Sequence, residues 1–250
     1  MAISHDADAV STDQTASPIT WNHTIGVGTN TFLAVGVSLN GTVSAPTATG
    51  VTYGGVSMTK MCFQVEDGAT DHMEASIWFL KKPLGGTNQV SVTFTGGTSP
   101  HGAGGSSSYF GCLQLVNTAY GSAGGSTGTA SGDQGFTLTT PENNCWWYAI
   151  AINTATTSPT LTISGTPGTQ RITQTLGNTQ SGIMVTQDPN GSTGAAGSPS
   201  YRFNFGGTGL GGWATCAFPF APDVYSGQTL SNYPPYVQVG GGMSRNERAS

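Results

Sequence analysis

The sequence predicts an all-β protein: a two-sheet antiparallel β-sandwich, jelly-roll-like, followed by an extended C-terminal arm. Three observations carry that expectation. Apolar residues recur with a period of two and almost nowhere at helical spacing. Turn-forming Gly, Asn, Asp and Pro interrupt these runs at short intervals, giving about a dozen strands, which suits two packed sheets. The composition is low in charge, at 8%, and holds 38 glycines, yet five Trp, ten Phe and eight Tyr are enough to fill a core. The abundant Gly, Thr and Ser therefore read as turns, loops and wet strand faces of an ordered protein.

Taken in order, Leu33, Val35, Val37 and Leu39 alternate with Ala34, Gly36 and Ser38, which predicts a strand with one core face and one solvent face. In the stretch from Val51 to Pro83, Tyr53-Gly54-Gly55-Val56 marks a tight hairpin turn, because a two-residue loop needs positive φ at its centre. A strand runs on to Val65, a polar turn covers Glu66 to Asp71, and a second strand spans Met73 to Leu80. Pro83 cannot donate to a ladder and marks the exit. Val90, Val92 and Phe94 alternate with Ser91, Thr93 and Thr95. The Gly/Ser stretches Pro100–Ser108 and Gly121–Gly132 read as long exposed loops flanking a strand, Tyr109–Val116.

Further on, Trp146, Tyr148, Ile150 and Ile152 share one face, with Trp147, Ala149 and Ala151 on the other. A strand apolar on both faces lies centrally or beneath a neighbour. Leu161 with Ile163, the run Tyr201, Phe203 and Phe205, and Trp213–Phe220 complete the series. No composition boundary divides residues 1–222, which read as one domain. From residue 223 to 250 the alternation stops, although Tyr225, Tyr233 and Tyr236 remain. Disordered tails are poor in aromatics, so these tyrosines are expected to dock the arm on a neighbouring subunit.

A net charge of −5 with seven basic residues leaves no footprint for nucleic acid. No apolar run is long enough to span a bilayer. The first residues carry neither a basic segment nor an apolar one, so the expectation is synthesis in a cytoplasm without a signal peptide. Cys62, Cys112, Cys145 and Cys216 show no CxxC spacing and read as small buried residues kept reduced.

The densest ionisable group is Glu66, Asp67, Asp71, His72 and Glu74. Oxygen ligands clustered in one turn suit a hard cation such as Ca²⁺, although the spacing matches no EF-hand loop and a plain charged turn is the competing reading. No other cofactor is implied. None of the four histidines sits in a Ser-His-Asp or Cys-His context, the glycine-rich run Gly206–Gly212 lacks the Lys of a phosphate loop, and the acids lie mostly in turns. The chain is therefore expected not to be an enzyme. Trp21, Trp78, Trp147 and Trp213 offer flat apolar faces on which a sugar ring stacks, against the alternative that they are core. Trp147 is the residue singled out for glycan contact, because Trp146 takes the opposite face of its strand.

The order of these pieces resembles phage and bacterial structural β-sandwich domains. The resemblance rests on Asn22-His23-Thr24-Ile25-Gly26, the aliphatic strand Phe32–Leu39, Val51-Thr52-Tyr53-Gly54-Gly55, Trp78 to Pro83 as W-x-L-x-x-P, Gly86 to Gly96, and Gly212-Trp213-Ala214 running out to Pro222. It covers nearly all of the residues before the arm, and V-T-Y-G-G with W-x-L-x-x-P is its most specific part. It implies a structural role in virion and tail-associated proteins and brings no catalytic residues. The resulting expectation is a bacteriophage virion component, decorating a capsid or part of a tail or fibre. Its partners would be other virion proteins and copies of itself in a homo-oligomer. A carbohydrate-binding or host-adhesion module, contacting a host surface glycan, is the alternative.

Overall fold

The computed structural model describes residues 1–67, 72–114, 124–128, 132–140, 142–153, 168–177, 182–191, 194–195, 197, 200–205 and 212–223. Within them the chain is all-β, with antiparallel pairing throughout and no helix long and apolar enough to cross a membrane. A central sheet has the order β1 (Ser4–Val10), β9 (His101–Phe110), β3 (Phe32–Gly41), β7 (His72–Lys81), β6 (Thr59–Asp67). A four-stranded sheet has the order β2 (Ile19–Ile25), β8 (Gly86–Thr95), β4 (Thr47–Tyr53), β5 (Val56–Ser57). A second five-stranded sheet has the order β10 (Gly124–Gly128), β16 (Trp213–Phe220), β12 (Trp146–Asn153), β14 (Gly182–Asp188), β13 (Thr169–Leu176). A separate ribbon joins β11 (Gly132–Thr137) to β15 (Ser200–Phe205).

The expected sandwich is present, and it is built twice on one central sheet. Leu33, Val35, Val37 and Leu39 of β3 pack against Ile19, Trp21, Val51, Tyr53, Val90 and Val92 of the four-stranded sheet. Phe32 and Ala34, on the opposite face of β3, pack against Tyr148, Ile150, Phe218 and Phe220 of the second five-stranded sheet. All ten residues of β3 are buried. The face carrying Ala34, Gly36 and Ser38 is therefore not the wet face its polarity suggested. Small side chains there let a second sheet come close: a Cβ on Gly36 would sit 2.9 Å from Ile150 Cδ1.

The same physics corrects the reading of Pro100–Ser108 as an exposed loop. Residues from His101 onward form β9, inside the central sheet between β1 and β3 and buried from Gly102 to Tyr109. On one face a Cβ at Gly104 would lie 2.2 Å from the Trp21 ring, and on the other a Cβ at Gly105 would lie 2.8 Å from Ile172 Cδ1. A strand squeezed between two sheets needs glycine and serine where the neighbours bring Trp and Ile. Of the predicted strand from Tyr109 to Val116, Tyr109 and Phe110 end β9, Cys112 forms an isolated bridge with Pro222, and Leu115 and Val116 lie outside the described residues. Gly124–Gly128, placed in the second expected loop, is strand β10 against β16.

Other elements follow the sequence closely. Gly54 and Gly55 adopt φ of 55° and 81° and close the β4–β5 hairpin, with Tyr53 opposite Val56. β6 and β7 form a hairpin as expected, paired from Thr59 opposite Phe79 to Asp67 opposite His72 with a bulge between Lys60 and Cys62. The strand expected to run on from Val56 to Val65 is, however, split between two sheets, and Glu66 and Asp67, expected in the turn, belong to β6. β12 lies in the middle of its sheet and is buried on both faces, as its apolar sequence requires. Asp223 is tied to the body: its amide donates to Gly111 O at 2.7 Å, and its carboxylate accepts from the Asn30 side chain. The predicted strand at Leu161 and Ile163, and the arm tyrosines Tyr225, Tyr233 and Tyr236, lie outside the described residues.

Candidate functional site

The acidic turn does not converge on one point. Asp67 and His72 face each other at the end of the β6–β7 hairpin, and His72 Nδ1 donates to Asp67 Oδ1 at 2.5 Å. Asp67 is exposed and also accepts the Ala45 amide at 3.1 Å. The His72 hydrogen bond, aided by that amide, holds its carboxyl below the usual carboxylate range. Glu66 pairs with Met73, so period-two alternation sends it to the opposite face from Asp67. Glu74 shares the Asp67 face but is fully buried. Its Oε2 accepts the Ala48 amide at 3.3 Å, and its Oε1 lies 3.8 Å from Lys60 Nζ. Burial pushes its pKa up, against the opposing charge of Lys60. Asp71 lies outside the described residues. Among the described residues, no group of three or more His, Cys, Asp or Glu side chains gathers to hold a metal ion.

Lys60 is itself held by this corner. Its ammonium donates to Ala48 O at 2.7 Å and stands 4.8 Å and 4.9 Å from the Trp78 and Phe63 ring centroids. Two aromatic faces and one buried carboxylate thus share a single cation, which compensates part of the cost of burying Glu74.

Trp147 requires a correction. It is fully buried, on the face of β12 opposite the Tyr148–Ile152 core, so it presents no ring to a sugar. Trp21, Trp78, Trp146 and Trp213 are buried as well, at 7% exposure or less, so none of the five tryptophans offers a stacking platform. The reason lies in the packing: both faces of β3, in the middle of the central sheet, and both faces of β12 are covered.

Two buried polar networks were not anticipated. A bulge in β1 between His5 and Ala7 lets Asp6 reach β2 and β9. Asp6 Oδ2 accepts the Gly26 amide at 3.0 Å and the Ser108 hydroxyl at 2.7 Å. Because Ser108 spends its proton on Asp6, its oxygen accepts from His23 Nε2–H at 3.0 Å. His23 Nδ1 is then an acceptor, taking the Ser106 hydroxyl proton at 2.9 Å, while Ser106 accepts Trp21 Nε1–H at 2.9 Å. With His23 neutral the relay runs one way, from Trp21 through Ser106, His23 and Ser108 to Asp6. Ala9 O, 3.3 Å from Ser106 Oγ, is a second acceptor for the Ser106 proton. His23 is 1% exposed, and burial, outweighing the nearby charges of Asp6 and Asp8, pushes its pKa down to about 4. The residue types are those of a hydrolase triad, but the order is not. The carboxylate holds a serine instead of the imidazole, and both serines are fully buried.

The second network lies on the other face of β9. Asp188 is completely buried at the end of β14. Arg171 binds it in a fork, Nε to Oδ2 at 2.7 Å and an Nη to Oδ1 at 2.9 Å, while Tyr109 O–H donates to Oδ2 at 2.9 Å. The Asn190 amide completes the set at 2.8 Å. Nearby, Asp8 Oδ1 accepts Ser107 Oγ at 2.6 Å and His5 Nε2 at 2.9 Å. Strand parity carried a usable signal for both networks: His23 shares its face with Trp21 and Ile25, and Asp188 closes a buried strand. Asp13 also pairs with His101, at 2.6 Å, beside the Gly177 amide at 2.9 Å.

The expectation that the chain holds no G-x-S-x-G elbow needs a correction at the level of sequence. Gly124-Gly125-Ser126-Thr127-Gly128 has the spacing of a nucleophile elbow. It forms strand β10, paired along its whole length with β16, and not the strand-to-helix turn that exposes such a serine.

No protein-family model, curated protein or solved structure matches this chain.

Proposed function

We propose that the chain is a non-enzymatic structural component of a bacteriophage virion, acting through contacts between subunits. The observation that supports this reading best is the inward use of its polar chemistry. Asp6, His23, Ser106 and Ser108 saturate one another inside one core, and Asp188, Arg171 and Tyr109 do so in the other. Those networks rigidify a body and leave its exterior for assembly. Assembly would use the edge strands of the central sheet, β1 and β6, and the residues after Asp223. The burial of all five tryptophans removes the basis for a glycan-stacking role at Trp147.

The test is mass spectrometry of purified particles, with the copy number of this chain measured against the major shell protein. High copy number supports shell decoration, and low copy number supports a tail or fibre position. Absence from particles of a host that expresses the chain overturns the proposal. A chain ending at Asp223 keeps the contacts of that residue with Gly111 and Asn30. It is expected to fold normally and to be excluded from particles.

A further inference from the structure

Two of the four cysteines lie in one core cluster, where β6 of the central sheet faces β16 of the second five-stranded sheet. Facing sheets normally sit about 10 Å apart, but Cα atoms of β6 and β16 approach within 8 Å of each other. A bulge in β6 between Lys60 and Cys62 places Lys60 opposite Trp78 and Cys62 opposite Ile77, turning Cys62 inward to the core shared with β16. Cys216 of β16 points back toward β7, its Sγ 3.1 Å from Ala75 O. Cys62 Sγ lies 3.7 Å from the carbonyl of Ala217, the residue after Cys216, so each thiol reaches the backbone of the sheet that carries the other. Both are reduced here, Cys62 half-buried and Cys216 buried.

We propose that Cys62 and Cys216 are an oxidisable pair that forms a reversible disulfide, clipping the central sheet to the second five-stranded sheet when the chain meets a disulfide-rich environment. The oxidant is a small-molecule disulfide such as oxidised glutathione. The thiolate of Cys62, the reachable partner, attacks one sulfur of that disulfide and expels one thiolate, leaving a mixed disulfide on Cys62. Cys216 then loses its proton and attacks Cys62 Sγ, expelling the second small thiolate. Two protein thiols are oxidised and one external disulfide is reduced to two thiols. The second step is the slower one, because burial pushes the Cys216 thiol well up.

A disulfide needs Cα atoms about 4.4–6.8 Å apart, and strands that approach within 8 Å leave only a small adjustment to reach that span. The link also joins residues distant in sequence, where a cross-link removes most freedom from the unfolded chain.

The experiment equilibrates the full chain with oxidised glutathione, blocks remaining thiols under denaturing, non-reducing conditions, and maps the peptides. The expected result is a cross-linked peptide pair containing Cys62 and Cys216. The thermal midpoint should rise by roughly 10 °C over the reduced protein. Cys62→Ser should abolish both the cross-link and the rise. Cys216→Ala, which avoids a buried hydroxyl, should leave a glutathione adduct on Cys62 alone. Four blockable thiols after equilibration, or a glutathione adduct on Cys62 of the unsubstituted chain with no cross-link, overturns the proposal.

Discussion

The His23 relay makes the fold sensitive to acid in a defined window. At pH 7 the folded chain leaves His23 unprotonated and only a minority of unfolded chains protonate it. As pH falls below 6.5 the unfolded chain takes up a proton that the folded chain, with His23 pushed down to about 4, still refuses. The unfolded state therefore gains, and stability falls until pH reaches about 4, below which both states are protonated. The drop from 6.5 to about 4 corresponds to about 3 kcal/mol at 25 °C. Asp6 and Asp8 resist the downward shift and His5 adds to it, so the burial cost prevails over a favourable local charge balance. Glu74, held above the usual carboxylate range by burial, works in the opposite sense, because acid relieves a charge that the folded chain tolerates poorly.

His23→Gln isolates the histidine. Guanidinium unfolding of both chains at pH 7, 5.5 and 4.5 should show their stability difference shifting in favour of the variant as pH falls. If Gln at this site prevents folding, the His23 ring signals of the unsubstituted protein report its ionisation directly by NMR titration. A His23 that titrates near 6.5, or a stability difference that does not change between pH 7 and 4.5, refutes the buried neutral relay.

Three further substitutions test the packing. Gly104→Val places a Cβ 2.2 Å from the Trp21 ring and should cost upwards of about 3 kcal/mol in a thermal or denaturant melt, whereas an exposed loop would tolerate it. Asp188→Asn leaves Arg171 without its charged partner in a buried fork and should cost about 3–5 kcal/mol by guanidinium unfolding. Trp147→Ala should lose about 3–5 kcal/mol of stability through the cavity it leaves, with no change on a glycan array.

How much of this was legible depended on whether a residue's partner lies nearby in sequence. The β4–β5 and β6–β7 hairpins were readable because Gly54-Gly55 and the Glu66–Asp71 turn specify local pairing. The buried position of β12 was readable from Trp146 to Ile152, since only a strand covered twice can be apolar on both faces. The Gly/Ser strand β9 misled, because its burial is dictated by Trp21 and Ile172, distant in sequence. The site residues divided in the same way. Asp67 and His72 pair across one hairpin, whereas Asp6 and Ser108 meet through a long-range sheet contact.

The central sheet ties these observations together. Covering it on both sides forces β9 and one face of β3 to be small, and glycine and serine fill most of β9. Small side chains leave backbone and hydroxyl groups close to bulky neighbours, and those hydroxyls must find partners inside the protein. Ser106, Ser107 and Ser108 find them in His23, Asp8 and Asp6. The inward-facing polar chemistry is thus a consequence of the layering, and the same residues that resemble catalytic groups in type are committed to holding the central and four-stranded sheets together. A single swap on β9, such as Gly104→Val, should therefore disturb the sheet packing and the His23 relay at once, because Trp21 serves both.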